Sequence, residues 1–235
     1  MFFSNMSILN SNFHDNHMLP GSLGGAISGL NSSFLVLNSN FSQNIAQLGG
    51  AMTLQRGSVV RTENCFFHAN AAFEAGGVIY ISDGSILTLQ DNIFSSNVAS
   101  GFKDENNQQI LGIGGVVFSD VGNNIIKEQK SAHVNNACTG LGSNYFLQPG
   151  TRFESKNSAY FQNIGYLFVG NISEVIMDGN ESNETNGVFV CYRCNITFNN
   201  SAFNNNRVTT SPLNRDNAVI LIALNSMATI KNFLH

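Results

Sequence analysis

One paired motif recurs four times in the first 120 residues. It is an aromatic residue followed three positions later by Asn, then a glycine pair followed by two apolar residues. The copies are Phe13 to Asn16 (FHDN) with Gly24 and Gly25, Phe41 to Asn44 (FSQN) with Gly49 and Gly50, Phe67 to Asn70 (FHAN) with Gly76 and Gly77, and Phe94 to Asn97 (FSSN) with Gly114 and Gly115. Successive Phe anchors are 28, 26 and 27 residues apart. A fixed period of that size marks a solenoid, whose units cannot bury their apolar faces until neighbours stack on them.

Each period carries strand chemistry. Seven residues before the anchors stand Met6, Phe34, Val60 and Leu87, and five before stand Ile8, Val36, Thr62 and Leu89. Two apolar positions separated by one residue describe a strand with one face buried. A second strand follows each glycine pair, with Ile27, Met52, Ile79 and Val117 expected to point inward together with Leu54 and Ile81. It stops at turn chemistry: Asn31-Ser32, Arg56-Gly57-Ser58, Asp83-Gly84-Ser85 and Gly122-Asn123, where Gly and Asn tolerate positive φ. No helical periodicity is present. Two or three short strands per period, paired in parallel with their equivalents about 4.8 Å away, make an all-β parallel β-helix of about 27 residues per coil. Stacking then predicts an internal Phe column and an Asn amide ladder along the axis, with the glycine pair at a bend where a side chain would strike the next coil.

FHDN, FSQN, FHAN and FSSN alternating with GGAI, GGAM, GGVI and GGVV resemble the repeat of polymorphic outer-membrane proteins, in which FxxN alternates with GGA plus an aliphatic residue. They are similar also to the repeats of the right-handed, pectin-lyase-like β-helix superfold. The resemblance covers residues 4 to 120. It implies a right-handed coil and a surface-exposed passenger used in adhesion, for which cell-surface glycans or another surface protein would be the partners. Two of the four glycine motifs carry Val in place of Ala, and no outer-membrane barrel follows, so membrane anchoring is not carried over.

The remainder is less regular. The Phe anchor lies 11, 8 and 9 residues before the glycine pair in the first three copies and 20 before it in the fourth. The insertion, at residues 101–112, is polar and is expected to project as a loop. Residues 1–124 therefore read as regular coils and 125–235 as irregular ones within a single β-helix domain. No clean anchor stands in Ile125 to Gly150. Phe153 to Asn163 and Val175 to Asn186 look like decayed units, and the pattern returns in Ile196 to Asn206. Ala218 to Leu224 and Met227 to Ile230 read as closing strands. Ser4 and Met6 already hold repeat positions and the last residues fall within a coil, so a piece of a longer protein is expected.

Chemistry is sparse. Enzymes built on this architecture use carboxylates from adjacent coils, yet the column three before the anchors is Asn10, Asn38, Asn64 and Asp91, and the turn column is Asn31, Arg56, Asp83 and Asp120. Asp83 and Asp120, the one acidic pair, are read as turn formers. His14 and His17 lack a third ligand. Cys191 and Cys194 form a lone CxxC, read as a local disulfide or two thiols. No catalytic, cofactor or metal residues are assigned. Glu154, Glu174 and Asp178 are the acids around which a polysaccharide-binding or polysaccharide-degrading groove would form.

Composition narrows the partners. Charged residues are only 11% of the chain and the net charge is -4, with no basic cluster to meet nucleic acid. The longest apolar run, Ala218 to Leu224, is far short of the roughly 18 residues of a membrane helix. Sequons begin at Asn5, Asn31, Asn40, Asn171, Asn180, Asn183, Asn195 and Asn199, about the number such a composition gives by chance. The first residues, with neither a basic start nor a continuous apolar run, do not read as a signal peptide. The resulting expectation is a non-catalytic repeat region of a cell-surface or secreted protein, a scaffold or adhesion surface.

Overall fold

The computed structural model describes residues 4–19, 21–171, 174–183, 189–206, 220–223 and 226–231. Among them, parallel pairing sorts the strands into four walls. A long wall of nine strands runs from Ser4–Leu9 and Ser32–Leu37 through Ile125–Gln129 and Arg152–Lys156 to Met227–Lys231. An aromatic wall of eight carries the FxxN residues, from Asn12–His14 to Ala202–Asn204. A glycine wall of eight follows the glycine pairs, from Ile27–Leu30 to Ile220–Ala223. The fourth, short wall holds Ile45–Leu48, Ala71–Ala75, Val98–Ala99 and Ala137–Cys138. Each strand pairs with its equivalent one coil away, as Phe41 does with Phe13 and Phe67, which is the topology of a parallel β-helix. A full coil thus holds four strands where the sequence pattern indicates two or three. The short wall is easily missed because its inward positions are small: Ala46, Ala72 and Ala99 are buried without giving an apolar alternation.

Ile27, Met52, Ile79, Val117, Leu54 and Ile81 all lie in the main core with Phe41, Phe67 and Phe94. The opposite face of the glycine wall is covered as well. Tyr80 and Phe118 pack with Ala75, Leu48 and Ile113 in the angle between glycine and short walls, and a second aromatic stack, Tyr80–Phe118–Phe146, runs along that angle at 5.5 and 5.6 Å. Inside, Phe13, Phe41, Phe67 and Phe94 stack at 4.8, 5.0 and 4.9 Å.

Beside that column runs the amide ladder. The Nδ2 of Asn16, Asn44 and Asn70 donates to the Oδ1 of the next Asn, ending at Asn97, over 2.7, 2.9 and 3.1 Å. Each Nδ2 from Asn44 onward also donates to the Phe carbonyl of the preceding coil. Both hydrogens of each of these amides are used, which is why a buried polar column does not destabilise the core. The column three before the anchors does something else: Asn10, Asn38, Asn64 and Asp91 turn the corner at φ near +50°, a conformation Asn and Asp tolerate. In the glycine pair the first residue has positive φ, as at Gly49 and Gly76. A Cβ on the second would strike the carbonyl oxygen of the equivalent glycine one coil on, as Gly50 would meet Gly77.

Beyond residue 124 the pairing runs on in register while the side chains change. Phe94 is followed in its column by His133, Tyr160, Ser182 and Phe203, at intervals of 39, 27, 22 and 21 residues by those numbers. Asn136 and Asn163 continue the ladder at 3.0 and 3.2 Å. The long interval contains the insertion; the short ones come where the short wall has ended among the described residues. One register needs correction. Asp120 aligns with Ser82, not Asp83, because Ile81 pairs with Ser119; the positive-φ turn residues there are Asp83 and Asn123. The inserted segment folds back as an antiparallel hairpin, Phe102–Lys103 against Gln109–Ile110. Of the expected closing strand, Ala218, Val219 and Leu224 lie outside the described residues, as do residues 184–186 of the second decayed unit.

Candidate functional site

Strand alternation sends every second side chain of the long wall outward, and in coils three to seven those positions carry the charges. Arg61, Thr88, Lys127 and Glu154 form one outward column, with Glu63, Gln90, Gln129, Lys156 and Asp178 beside it. Between these columns lies a groove of about 300 Å³ lined by Arg61, Gln90, Lys127, Gln129, Glu154 and Lys156. The three acids singled out in the sequence share this wall, but each has a polar partner. Glu154 is bonded to Lys156 at 2.8 Å, Glu174 pairs with Arg152 at 3.4 Å, and Asp178 accepts from the Nδ2 of Asn200 at 3.1 Å. The hydrogen bond from Lys156 holds the Glu154 carboxyl below its ordinary range. That carboxylate is suited to an ion pair and not to donating a proton to a leaving group.

Directly beneath the groove, a second cluster faces inward. Glu128 is fully buried, and four side chains converge on its carboxylate. His133 Nε2 and Tyr145 Oη meet Oε1 at 2.5 and 2.8 Å, while Tyr160 Oη and Ser155 Oγ meet Oε2 at 2.5 and 2.9 Å. Burial alone would raise the Glu128 pKa, but the facing His133 and the hydroxyl hydrogen bonds leave it lowered. Burial, and the negative charge of Glu128, push both tyrosines well above their usual range. His133 replaces Phe in the aromatic column, stacked between Phe94 at 4.7 Å and Tyr160 at 4.8 Å. The sequence held the signal: His133 stands at the anchor register and Glu128 five residues before it, at an inward position. The absence of Phe there hid both. Sealed from solvent, the cluster supports the wall that carries the groove.

The other candidates resolve locally. His14 Nδ1 contacts Ser42 Oγ at 3.0 Å and His17 pairs with Asp15 at 3.1 Å. No group of three or more potential metal ligands occurs among the described residues. Cys191 and Cys194 are joined as a disulfide at the corner between the glycine and long walls. Asp120 accepts from Tyr80 Oη at 2.5 Å, and Asp83 holds a positive-φ turn. Phe13, Asn16, Gly24, Gly25, Phe41, Asn44, Gly49, Gly50, Phe67, Asn70, Gly76, Gly77, Phe94, Asn97, Gly114 and Gly115 all stand in the stacked columns or corners of the first four coils.

Walls of parallel strands, one coil per repeat and a laddered interior define a parallel β-helix. Residues 1–111 match the family model described as right handed beta helix region, and that match gives the coil its right hand. No curated protein and no solved structure gave a match. No helix among the described residues is long and apolar enough to cross a membrane.

Proposed function

We propose that the chain is a non-catalytic β-helix scaffold of a cell-surface or secreted protein, whose outer walls serve as an adhesion surface for glycans or another surface protein. The observation that carries this reading is the pairing of acids with bases on the long wall. Glycosidic cleavage uses two carboxyls about 5 to 10 Å apart across the scissile bond, one of them protonated at working pH. Here Glu63, Glu154 and Glu174 are each tied to a cation, an arrangement that favours a fixed surface over a pair of carboxyls set across a bond. The Cys191–Cys194 disulfide fits an oxidising compartment. A second reading, polysaccharide binding or cleavage, is favoured by the groove above Glu128, where Arg61, Lys127 and Lys156 could face an anionic chain.

The test sets the purified chain against neutral and uronic polysaccharides with and without calcium, following reducing ends and unsaturated products, alongside adherence of the labelled chain to cells. Saturable adherence without depolymerisation is expected. Depolymerisation that disappears in Glu154→Gln or Glu174→Gln would replace the scaffold reading with the enzymatic one.

A further inference from the structure

The inserted hairpin encloses space that the repeat does not need. Between it and the outer face of the short wall lies an apolar pocket of about 320 Å³, lined by Gln47 of the second coil, Phe73 of the third, and Phe102 and Lys103 of the hairpin. Its volume is at the small end of the range for small-molecule sites, which are mostly apolar with a few placed polar groups. Phe73 reaches outward from a bulge, since pairing slips between Ala72 and Ala75, and it is 37% exposed. Phe102 supplies the second aromatic wall.

The polar groups around the pocket are not equivalent. Glu74 is taken by Gln47, whose Nε2 donates to it at 2.9 Å. Asp104 is turned back into the hairpin, where its Oδ1 accepts from the N–H of Asn106 at 2.9 Å and of Gln108 at 2.7 Å. Among the described residues no carboxylate stands within ion-pair distance of Lys103. Two rings with an unpaired ammonium at their edge favour one kind of occupant: a flat apolar body for the rings, and an anionic group to meet Lys103.

We propose that the hairpin pocket binds a small aromatic carboxylate, its ring against Phe73 and Phe102 and its carboxylate at Lys103. This goes beyond the scaffold reading, which requires no pocket, and either can fail without the other.

The experiment uses the full chain and three probes of the same size: phenylacetate, neutral 2-phenylethanol and cationic 2-phenylethylamine. Each is titrated while the backbone amide resonances of the hairpin are followed by NMR. Saturable shifts confined to residues around 47, 73 and 102–110 are expected, with phenylacetate tighter than the alcohol by about three- to fivefold, as a partly exposed ion pair allows, and the amine weakest. Phe73→Ser, on an outer surface, should abolish binding of all three, and Lys103→Gln should bring phenylacetate down to the level of the alcohol. No saturable shift, shifts that survive Phe73→Ser, or an amine that binds as tightly as the acid would each overturn the proposal. The amide spectrum of each variant, recorded without probe, separates lost binding from lost fold.

Discussion

Glu128 and His133 occupy inward positions that hold Leu89 and Phe94 in the preceding coil, so the core exchanges two apolar contacts for one bonded pair. A buried ion pair is weak evidence of stability, but breaking it leaves a charge or a donor with nowhere to go. Glu128→Leu alone removes the shared acceptor of His133, Tyr145 and Tyr160, while Ser155 keeps Asn180 and Tyr160 as partners, and should destabilise the chain by about 3 kcal/mol. Adding His133→Phe restores the aromatic column between Phe94 and Tyr160, so the double variant should be more stable than the Glu128→Leu single. Chemical denaturation of the three variants and wild type closes the cycle. Additive losses would mean that the pair is not a unit.

The same residues set a pH dependence whose sign follows from the shifts. The Glu128 carboxyl is lowered in the folded state, so its contribution is complete above the ordinary carboxylate value of about 4.3 and is lost as pH falls below that toward the depressed value. Tyr145 and Tyr160 are raised; their contribution is complete below about 10 and is lost as pH climbs above it. Denaturation midpoints against pH should fall less steeply on the acid side for the Glu128→Leu, His133→Phe variant than for wild type. The alkaline fall should be kept in both, because both tyrosines remain buried. Identical acid limbs would remove Glu128 from the account.

At the scale of the coil, what could be read in the sequence depended on whether a position demands one residue type. The corner behind each glycine pair does: a Cβ at Gly77 would meet the carbonyls of Gly115 and Val98, so the pair repeats visibly. The Phe and Asn columns repeat because identical rings stack and identical amides ladder. The short wall asks only for a small inward side chain, and any Ala serves, so nothing marked it. The aromatic column past residue 124 accepts His133 and Tyr160 as flat rings, and the repeat vanishes from view while the register continues. Of the groove lining only Glu154 was singled out in the sequence as a site residue, since outward positions such as Arg61 and Lys127 are constrained by nothing inside. The hairpin was legible as an insertion but not as a pocket, because Phe73 and Gln47 come from other coils. Its removal is a clean test of modularity. A Cβ on Gly112 would fall against the Gly101 nitrogen, so the ends of the segment already adjoin, and Gly112 is held by Thr139 Oγ1 at 2.8 Å. Deleting residues 102–111 should leave the strand circular-dichroism signal intact and change stability by no more than about 1 kcal/mol. A collapse of the fold would make the hairpin part of the core.

Over the whole molecule the repeats do not contribute equally. A solenoid is stabilised by each coil and by its interface with the next, and those interfaces differ along the axis. Coils two to five have four walls, the Asn ladder and an unbroken aromatic column of Phe41, Phe67, Phe94 and His133. Later coils are 22 and 21 residues apart by the Tyr160, Ser182 and Phe203 register, and with Ser182 the aromatic column is broken. Tyr145, Phe168 and Phe189 still stack inside these coils, but an interface with no short wall among the described residues and a broken anchor column has a lower free energy of local opening. Amide hydrogen exchange of the full chain should therefore be slowest in Met52–Gln55, Ile79–Ile81 and Ile86–Gln90, and faster in Glu174–Asp178 and Asn195–Asn199. The Cys191–Cys194 bridge closes a loop of only a few residues, and so restrains the unfolded chain little; reducing it should leave the order of protection unchanged. Uniform protection from Ser32–Leu37 to Asn195–Asn199 would show instead that the coils open as one cooperative body, with the ladder and the Glu128 cluster coupling them beyond nearest neighbours.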